Sequence, residues 1–198
     1  MKYLVFDATG IGKPKDYKAP FTETFNWPRL IHLSWIMLND ELKPIKDFDC
    51  IIKPDGFAID HHVIKFSRLE EEEINKKGER VEDVFAEFAK SVEEADYLIA
   101  HNMNIQENII AAEYMRKGMH PPHFTTERLC LMQEATFYCK LQSRGGGYKW
   151  PSLQEIYMTL FHQKFAPAGN ARADVIAAAR SFIMLMKKGE LEDFFDEE

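Results

Sequence analysis

The chain has 198 residues, 45% of them hydrophobic and 29% charged, the composition of an ordinary soluble globular protein and of single-domain size. Its net charge of −7 disfavours broad electrostatic attraction to a phosphate backbone, which needs Lys and Arg, but leaves room for a local basic patch. Three cysteines, Cys50, Cys130 and Cys139, form no CxxC pair, so a disulfide framework or a zinc site is not expected, and a reducing, cytoplasmic setting is. The N-terminal apolar run ends at Asp7 and is too short for a signal peptide, and no stretch approaches the ~20 apolar residues of a membrane span.

In chain order, Lys2 to Asp7 reads as a buried strand ending at a carboxylate. The segment from Lys13 to Pro28 holds Pro14, Pro20 and Pro28 and reads as a loop. From Arg29 to Leu38 large apolar residues alternate in two sets, Leu30, His32, Ser34 and Ile36 against Ile31, Leu33, Trp35 and Met37, which is a strand pattern with Trp35 in the core. A turn at Asn39-Asp40 leads to a third strand, Phe48 to Lys53, ended by Pro54-Asp55-Gly56. Three strands with short turns predict an antiparallel meander.

Helical spacing then takes over. Val81, Val84, Phe85, Phe88, Ala89 and Val92 predict a helix, Tyr97 to Ala100 a short strand, and Asn104 to Lys117 a helix stopped by Gly118. Arg128 to Leu131 reads as a fifth strand. Ser152 with Glu155 three residues on is a capping box for a helix through Leu160, and Val175, Ala179, Phe182, Ile183 and Met186 mark the last amphipathic helix. Gly145-Gly146-Gly147 reads as a flexible loop, since no Lys-Ser/Thr follows as a phosphate cradle needs. The expected architecture is α/β: a mixed five-stranded sheet flanked by helices, formed by residues 1–188, with an acidic tail over 189–198 that frays.

Three stretches carry a resemblance. YLVFDATGIGKP, YLIAHNMNIQENII and GNARADVIAAA resemble, in order and spacing, the three motifs of the DEDDh 3′–5′ exonuclease family, which includes the proofreading epsilon subunit of DNA polymerase III. The resemblance runs from Met1 to about Lys188 and implies a ribonuclease-H-like fold with Asp7 at the end of a central first strand. Members of the family hydrolyse phosphodiesters with two metal ions, held by four carboxylates, and a histidine general base. Carried over position by position, Asp7 and Asp174 match the first and last aspartates. Thr9 stands for the glutamate, Gln106 for the second-motif aspartate and Gly169 for the histidine.

A metal pair brings a charge of +4, and this cage offers −2. Asp7 and Asp174 are therefore expected to hold at most one hydrated Mg²⁺ or Mn²⁺, and Gly169 cannot take a proton. Neighbours offer little rescue: Glu107 points about 100° away from Gln106 on a helix, Asn170 is no base, and His162 lies before the third motif. His101 is expected to be a satisfied buried histidine, and the loop pairs His61-His62 and His120/His123 are too few for a zinc site.

For nucleic-acid contact the candidates are Trp27, Tyr148, Lys149 and Trp150, aromatic and basic groups in loops. The sequence therefore predicts an exonuclease-like protein with catalysis lost or strongly impaired, binding single-stranded DNA, RNA or a nucleotide. The alternatives are an active nuclease with an unusual metal site and a protein–protein interaction module.

Overall fold

The structure, a computed structural model, describes residues 1–59, 69–122, 126–166 and 168–195. Three strands open the chain, β1 (Tyr3–Gly10), β2 (Leu30–Leu38) and β3 (Pro44–Ile51), and two more follow, β4 (Tyr97–Ala100) and β5 (Glu127–Cys130). They form one mixed sheet in the order β3-β2-β1-β4-β5. The β1–β2 and β2–β3 pairs are antiparallel, and β4 and β5 run parallel to β1. The α/β fold with a mixed five-stranded sheet and a central first strand is the one expected.

Strand β2 is buried along its whole length because helices cover both faces of the sheet, so its sequence reads as an apolar run. The edge strand β3 is largely exposed and carries Lys46, Asp47 and Asp49, charges that discourage edge-to-edge pairing. On one face, Leu4, Phe6 and Ala8 of β1 and Leu33, Trp35 and Met37 of β2 pack with Val84, Phe85, Phe88 and Ile110. Those residues come from α2 (Val81–Glu94) and α3 (Met103–Arg116), preceded in the chain by α1 (Glu71–Lys77). Two polar groups are satisfied inside this core: Trp35 Nε1 donates to Ser91 Oγ at 3.0 Å and the Tyr114 hydroxyl to the Phe85 carbonyl at 2.9 Å.

The opposite face carries Tyr3, Val5, Ile36, Leu38 and Ile99, covered by α4 (Leu131–Cys139), α5 (Leu153–Phe161) and α6 (Ala171–Lys187). Side chains alternate along a strand, so Asp7 and Thr9 share this second face with Tyr3 and Val5. The predicted capping box is present at α5, with Ser152 and Glu155 bonding reciprocally.

The structure departs from the sequence reading in four places. Strand β3 begins at Pro44 rather than Phe48, because pairing with β2 supplies the ladder that a weakly apolar stretch does not announce. Helix α4 starts directly after β5, so the apolar Leu129–Leu131 run conceals the change of element. Helix α1 buries a single residue, Ile74, and so shows no apolar period. Finally, the acidic stretch does not fray through Phe195. Leu191 is buried, and in α7 (Glu192–Phe195) the Phe195 ring meets Tyr97 at 4.9 Å and Tyr3 at 6.0 Å, edge-on. His61, His62 and His123 lie outside the described residues. No helix among the described residues is long and apolar enough to cross a membrane.

Candidate functional site

The site forms where the sheet opens. β4 pairs with β1 only as far as Val5↔Ile99, whereas β2 continues alongside, with Asp7 opposite Ser34 and Thr9 opposite His32. The end of β1 is thus paired on one side and open on the other. Gly10 closes this strand against the loop that follows: a Cβ there would sit 2.8 Å from Pro28 Cγ, so only glycine permits the approach.

Helix α3 enters over the open side. Its N-cap, Asn102, is left-handed at φ 60°, and Gln106 in the first turns reaches β1 twice. Gln106 Oε1 accepts the Ala8 backbone N–H at 2.5 Å, and Gln106 Nε2 donates to Asp7 Oδ1 at 2.9 Å. Because the Ala8 group is a donor, the amide has one orientation here, with its NH₂ on the carboxylate.

Helix α6 supplies the other carboxylate. Asn170 caps it by accepting the Arg172 N–H at 3.1 Å, which fixes Asp174 in the first turn. The Gly169 N–H donates to both Asp174 oxygens, at 3.1 and 3.0 Å. Gly169 holds φ 90° to do so, a conformation that a side chain would strain.

Asp7, Thr9, Gln106, Gly169 and Asp174 line a single cleft of about 530 Å³, together with Lys13, His101 and Asn102. The structure thus brings all five motif positions together. Burial raises the Asp7 pKa well above the usual carboxylate range, and the Asp174 charge raises it further. Asp174 itself is pushed up to about 6, by burial first, against the opposing effects of the Gly169 N–H and of His32.

Beneath the cleft, His32 is 2% exposed and its Nε2 lies 2.7 Å from Asp49 Oδ1. Its Nδ1 is buried without a hydrogen-bond partner. Burial pushes Asp49 up, but the His32 hydrogen bond, the charges of His32 and Arg172 and a bond from Ser34 together hold it below its ordinary value. The sequence reading passed over His32 as a functional group. Its signal was a polar residue inside an apolar strand, on the same face as Ser34 and Ile36.

The donor set does not fit a metal pair. Two carboxylates face the cleft, one oxygen of Asp7 accepts an amide N–H, and both oxygens of Asp174 accept a backbone N–H. An N–H directed at a carboxylate places positive charge where a cation would bind. Among the described residues, no three His, Cys, Asp or Glu side chains converge as metal ligands.

The neighbours considered as substitutes stand elsewhere. Glu107 pairs with Arg128 at 3.2 Å, His162 is the exposed left-handed cap of α5, and Asn170 is the cap of α6. His101 is half-buried and satisfied: its Nε2 donates to the Pro151 carbonyl at 3.0 Å, and burial lowers its pKa. One candidate for nucleic-acid contact needs correction. Trp27 is 3% exposed and its Nε1 donates to the Pro20 carbonyl at 3.2 Å, so its ring is committed to the core and offers no face to a base. Loop position suggested exposure, but the loop folds back over the sheet. Trp150 is 61% exposed and Tyr148 39%, outside the Asp7 cleft, and Lys149 pairs with Glu155 at 2.5 Å.

By sequence, the chain matches no family model and no curated protein. Solved structures do match it. One is E. coli exonuclease I in complex with a dT13 oligonucleotide, with a TM-score of 0.73 at 16% identity over 98% of this chain and 42% of that one. A product-bound exonuclease I gives 0.71 at 15% identity over 98% and 45%, and an apo exonuclease I gives 0.73 at 14% over 98% and 44%. This chain therefore spans less than half the length of those exonuclease I chains. At these identities the likeness is one of architecture, and it shows that this cleft is carried on the same fold as those structures.

Proposed function

We propose that this chain is a nucleic-acid-binding protein of the DEDDh, DNA polymerase III epsilon-like type, whose hydrolytic activity is lost or strongly impaired. One observation carries the second half of this reading: the Gln106 amide, locked by the Ala8 N–H, donates to Asp7 at 2.9 Å. A group that donates to the carboxylate replaces one that would have shared a cation with it. Gly169 removes the general base, whose loss alone costs about 10²–10⁴ in rate. Asp7 and Asp174 are left with at most one hydrated Mg²⁺ or Mn²⁺ between them.

Binding rests on two supports. The exonuclease I structures similar to this chain include complexes with dT13 and dA16 oligonucleotides. The Asp7 cleft here is open and carries Lys13 at its edge. The test follows a labelled single-stranded oligonucleotide with Mg²⁺ or Mn²⁺ present, measuring both retention and degradation. The expected result is binding with no more than trace hydrolysis, unchanged by Asp7→Ala. Degradation abolished by Asp7→Ala would show an active enzyme with an unusual site.

A further inference from the structure

Beyond the cleft, three large rings stand exposed on one surface: Phe137 at 75%, Trp150 at 61% and Tyr148 at 39%. Isolated exposed rings are common, but adjoining ones mark a binding surface. Phe137 and Tyr148 meet edge-on, with centroids 6.1 Å apart at 87°. Trp150 lines a hollow of about 680 Å³ with Lys18, Arg128 and Gln133, and Phe137 lies one turn beyond Gln133 on α4. This hollow shares Asn102 and Ile105 with the Asp7 cleft, so the two adjoin across those residues.

The rings are held in place. A bridge between Gln142 and Tyr148 and the bond from Lys149 N to Leu141 O at 2.9 Å brace the glycine hairpin. Beyond Trp150, the Pro151 carbonyl accepts from His101, a cleft residue, at 3.0 Å. Preset rings bind at a lower entropic cost than mobile ones.

The charge around the rings identifies the occupant. The chain carries −7 overall, yet Lys18 lines the hollow beside Trp150, where Arg128 is paired with Glu107. Lys140 caps α4 three residues past Phe137, and Arg144 lies in the hairpin closed by the Gln142–Tyr148 bridge. Lys18, Lys140 and Arg144 are exposed and make no salt bridge among the described residues. Cations beside exposed aromatics suit a ligand with flat bases and a phosphate backbone, whereas the core of a protein–protein interface is depleted of charge. Resting on the nucleic-acid reading of the cleft, we propose that a single strand leaves the cleft over Asn102 and Ile105. It then stacks its bases on Trp150, Tyr148 and Phe137, with its phosphates turned to Lys18, Lys140 and Arg144.

The test is fluorescence anisotropy with labelled oligothymidine and oligouridine of about 15 nucleotides, and with a probe of about 3 nucleotides confined to the cleft. Trp150→Ala is expected to weaken the long probes by about 5- to 150-fold, Trp150→Phe to restore most of that, and neither to change the short probe. Lys140→Ala and Arg144→Ala are expected to lower the salt slope by roughly 0.7 each. The substituted side chains are exposed, and unchanged circular dichroism checks the fold. Oligothymidine and oligouridine bound alike support stacking and backbone contact; either one alone weakened by Trp150→Ala assigns the strand as DNA or RNA.

If Trp150→Ala and Phe137→Ala leave long-probe affinity intact while Lys13→Glu lowers it, the stacking surface is wrong and the cleft reading stands. If no oligonucleotide binds the wild type, both fail. If Trp150→Ala instead dissolves a self-association seen by sedimentation, the patch is a protein interface and the proposal is overturned.

Discussion

One stripe of α3 carries one buried carboxylate, Glu113, and meets another, Asp7, and the surroundings of the two are opposite. Glu113 and Gln106 lie seven residues apart on α3, two turns along one stripe. Glu113 is 2% exposed and is held by two guanidinium groups. Arg29 Nη2 donates to it at 2.8 Å and Arg116 Nη1 at 2.6 Å, with the Leu30 N–H at 3.3 Å. Arg116 then carries the grip onward to the Thr24 and Trp27 carbonyls. Asp7, also buried at 7% exposure, receives among the described residues the neutral amide of Gln106 and faces a second acid, Asp174. The first arrangement neutralises its charge and ties a loop to the sheet. The second leaves charge uncompensated, so it favours the protonated acid. A buried carboxylate acts as a structural clasp where a guanidinium is bonded to it, and among the described residues neither cleft acid has such a bond.

Three experiments break or sharpen this contrast. The largest effect is expected at the clasp. Removing one partner of a buried ion pair costs about 3–5 kcal/mol, so Glu113→Ala should lower Tm by about 6–20 °C in a chain of this size, and the loop at Thr24–Asn26 should gain proteolytic sensitivity. A Tm loss under ~3 °C would mean that the two arginines are solvated well enough to do without Glu113.

Next comes the cleft with its acid count raised. Gln106→Asp replaces the amide donor with a third carboxylate, which is expected to destabilise the protein by about 1–3 kcal/mol in EDTA through like-charge repulsion and a lost hydrogen bond. Millimolar Mn²⁺ should recover much of that, because a ligand bound only by the folded state raises Tm, while the wild type should respond little. Equal insensitivity of both proteins to Mn²⁺ would show that the cleft has drifted further than this one side chain. Adding Thr9→Glu and Gly169→His is the full restoration, but φ 90° at Gly169 means that the histidine is seated only if the backbone there rebuilds.

The smallest effect is the most diagnostic. Asp174 titrates at about 6 in the fold against a reference of 3.8. Its folded pKa is raised, so its contribution to stability is present below about pH 4 and is lost as pH rises through about 6. At about pH 8 the buried charge is a liability, and Asp174→Asn should stabilise by roughly 1–2 kcal/mol there, a gain that fades to nothing near pH 4. A stability difference independent of pH would show that Asp174 is already compensated, as Glu113 is, and the contrast would fail.

Much of this molecule was legible in its sequence, because the information was local. The period of two in Arg29 to Leu38, the helical period from Val81, the Ser152–Glu155 capping box and the order of the three motifs each depend on residues close along the chain. The resemblance that those motifs carry implied a central β1 and one cleft for Asp7, Thr9, Gln106 and Asp174, with Gly169 at its edge. What only the tertiary structure decided rests on pairs distant in sequence. The Gln106 amide meets Asp7 across 99 positions, Arg29 meets Glu113 across 84, and the Pro20–Trp27 bond decides that an expected surface ring belongs to the core. His32 entered beneath the site in the same way, through its strand register with Thr9 and its reach to Asp49 on the edge strand. Period and spacing dictate which face of an element a side chain occupies; the partner it finds there depends on how the elements pack, and it is the partner that sets its charge and its chemistry.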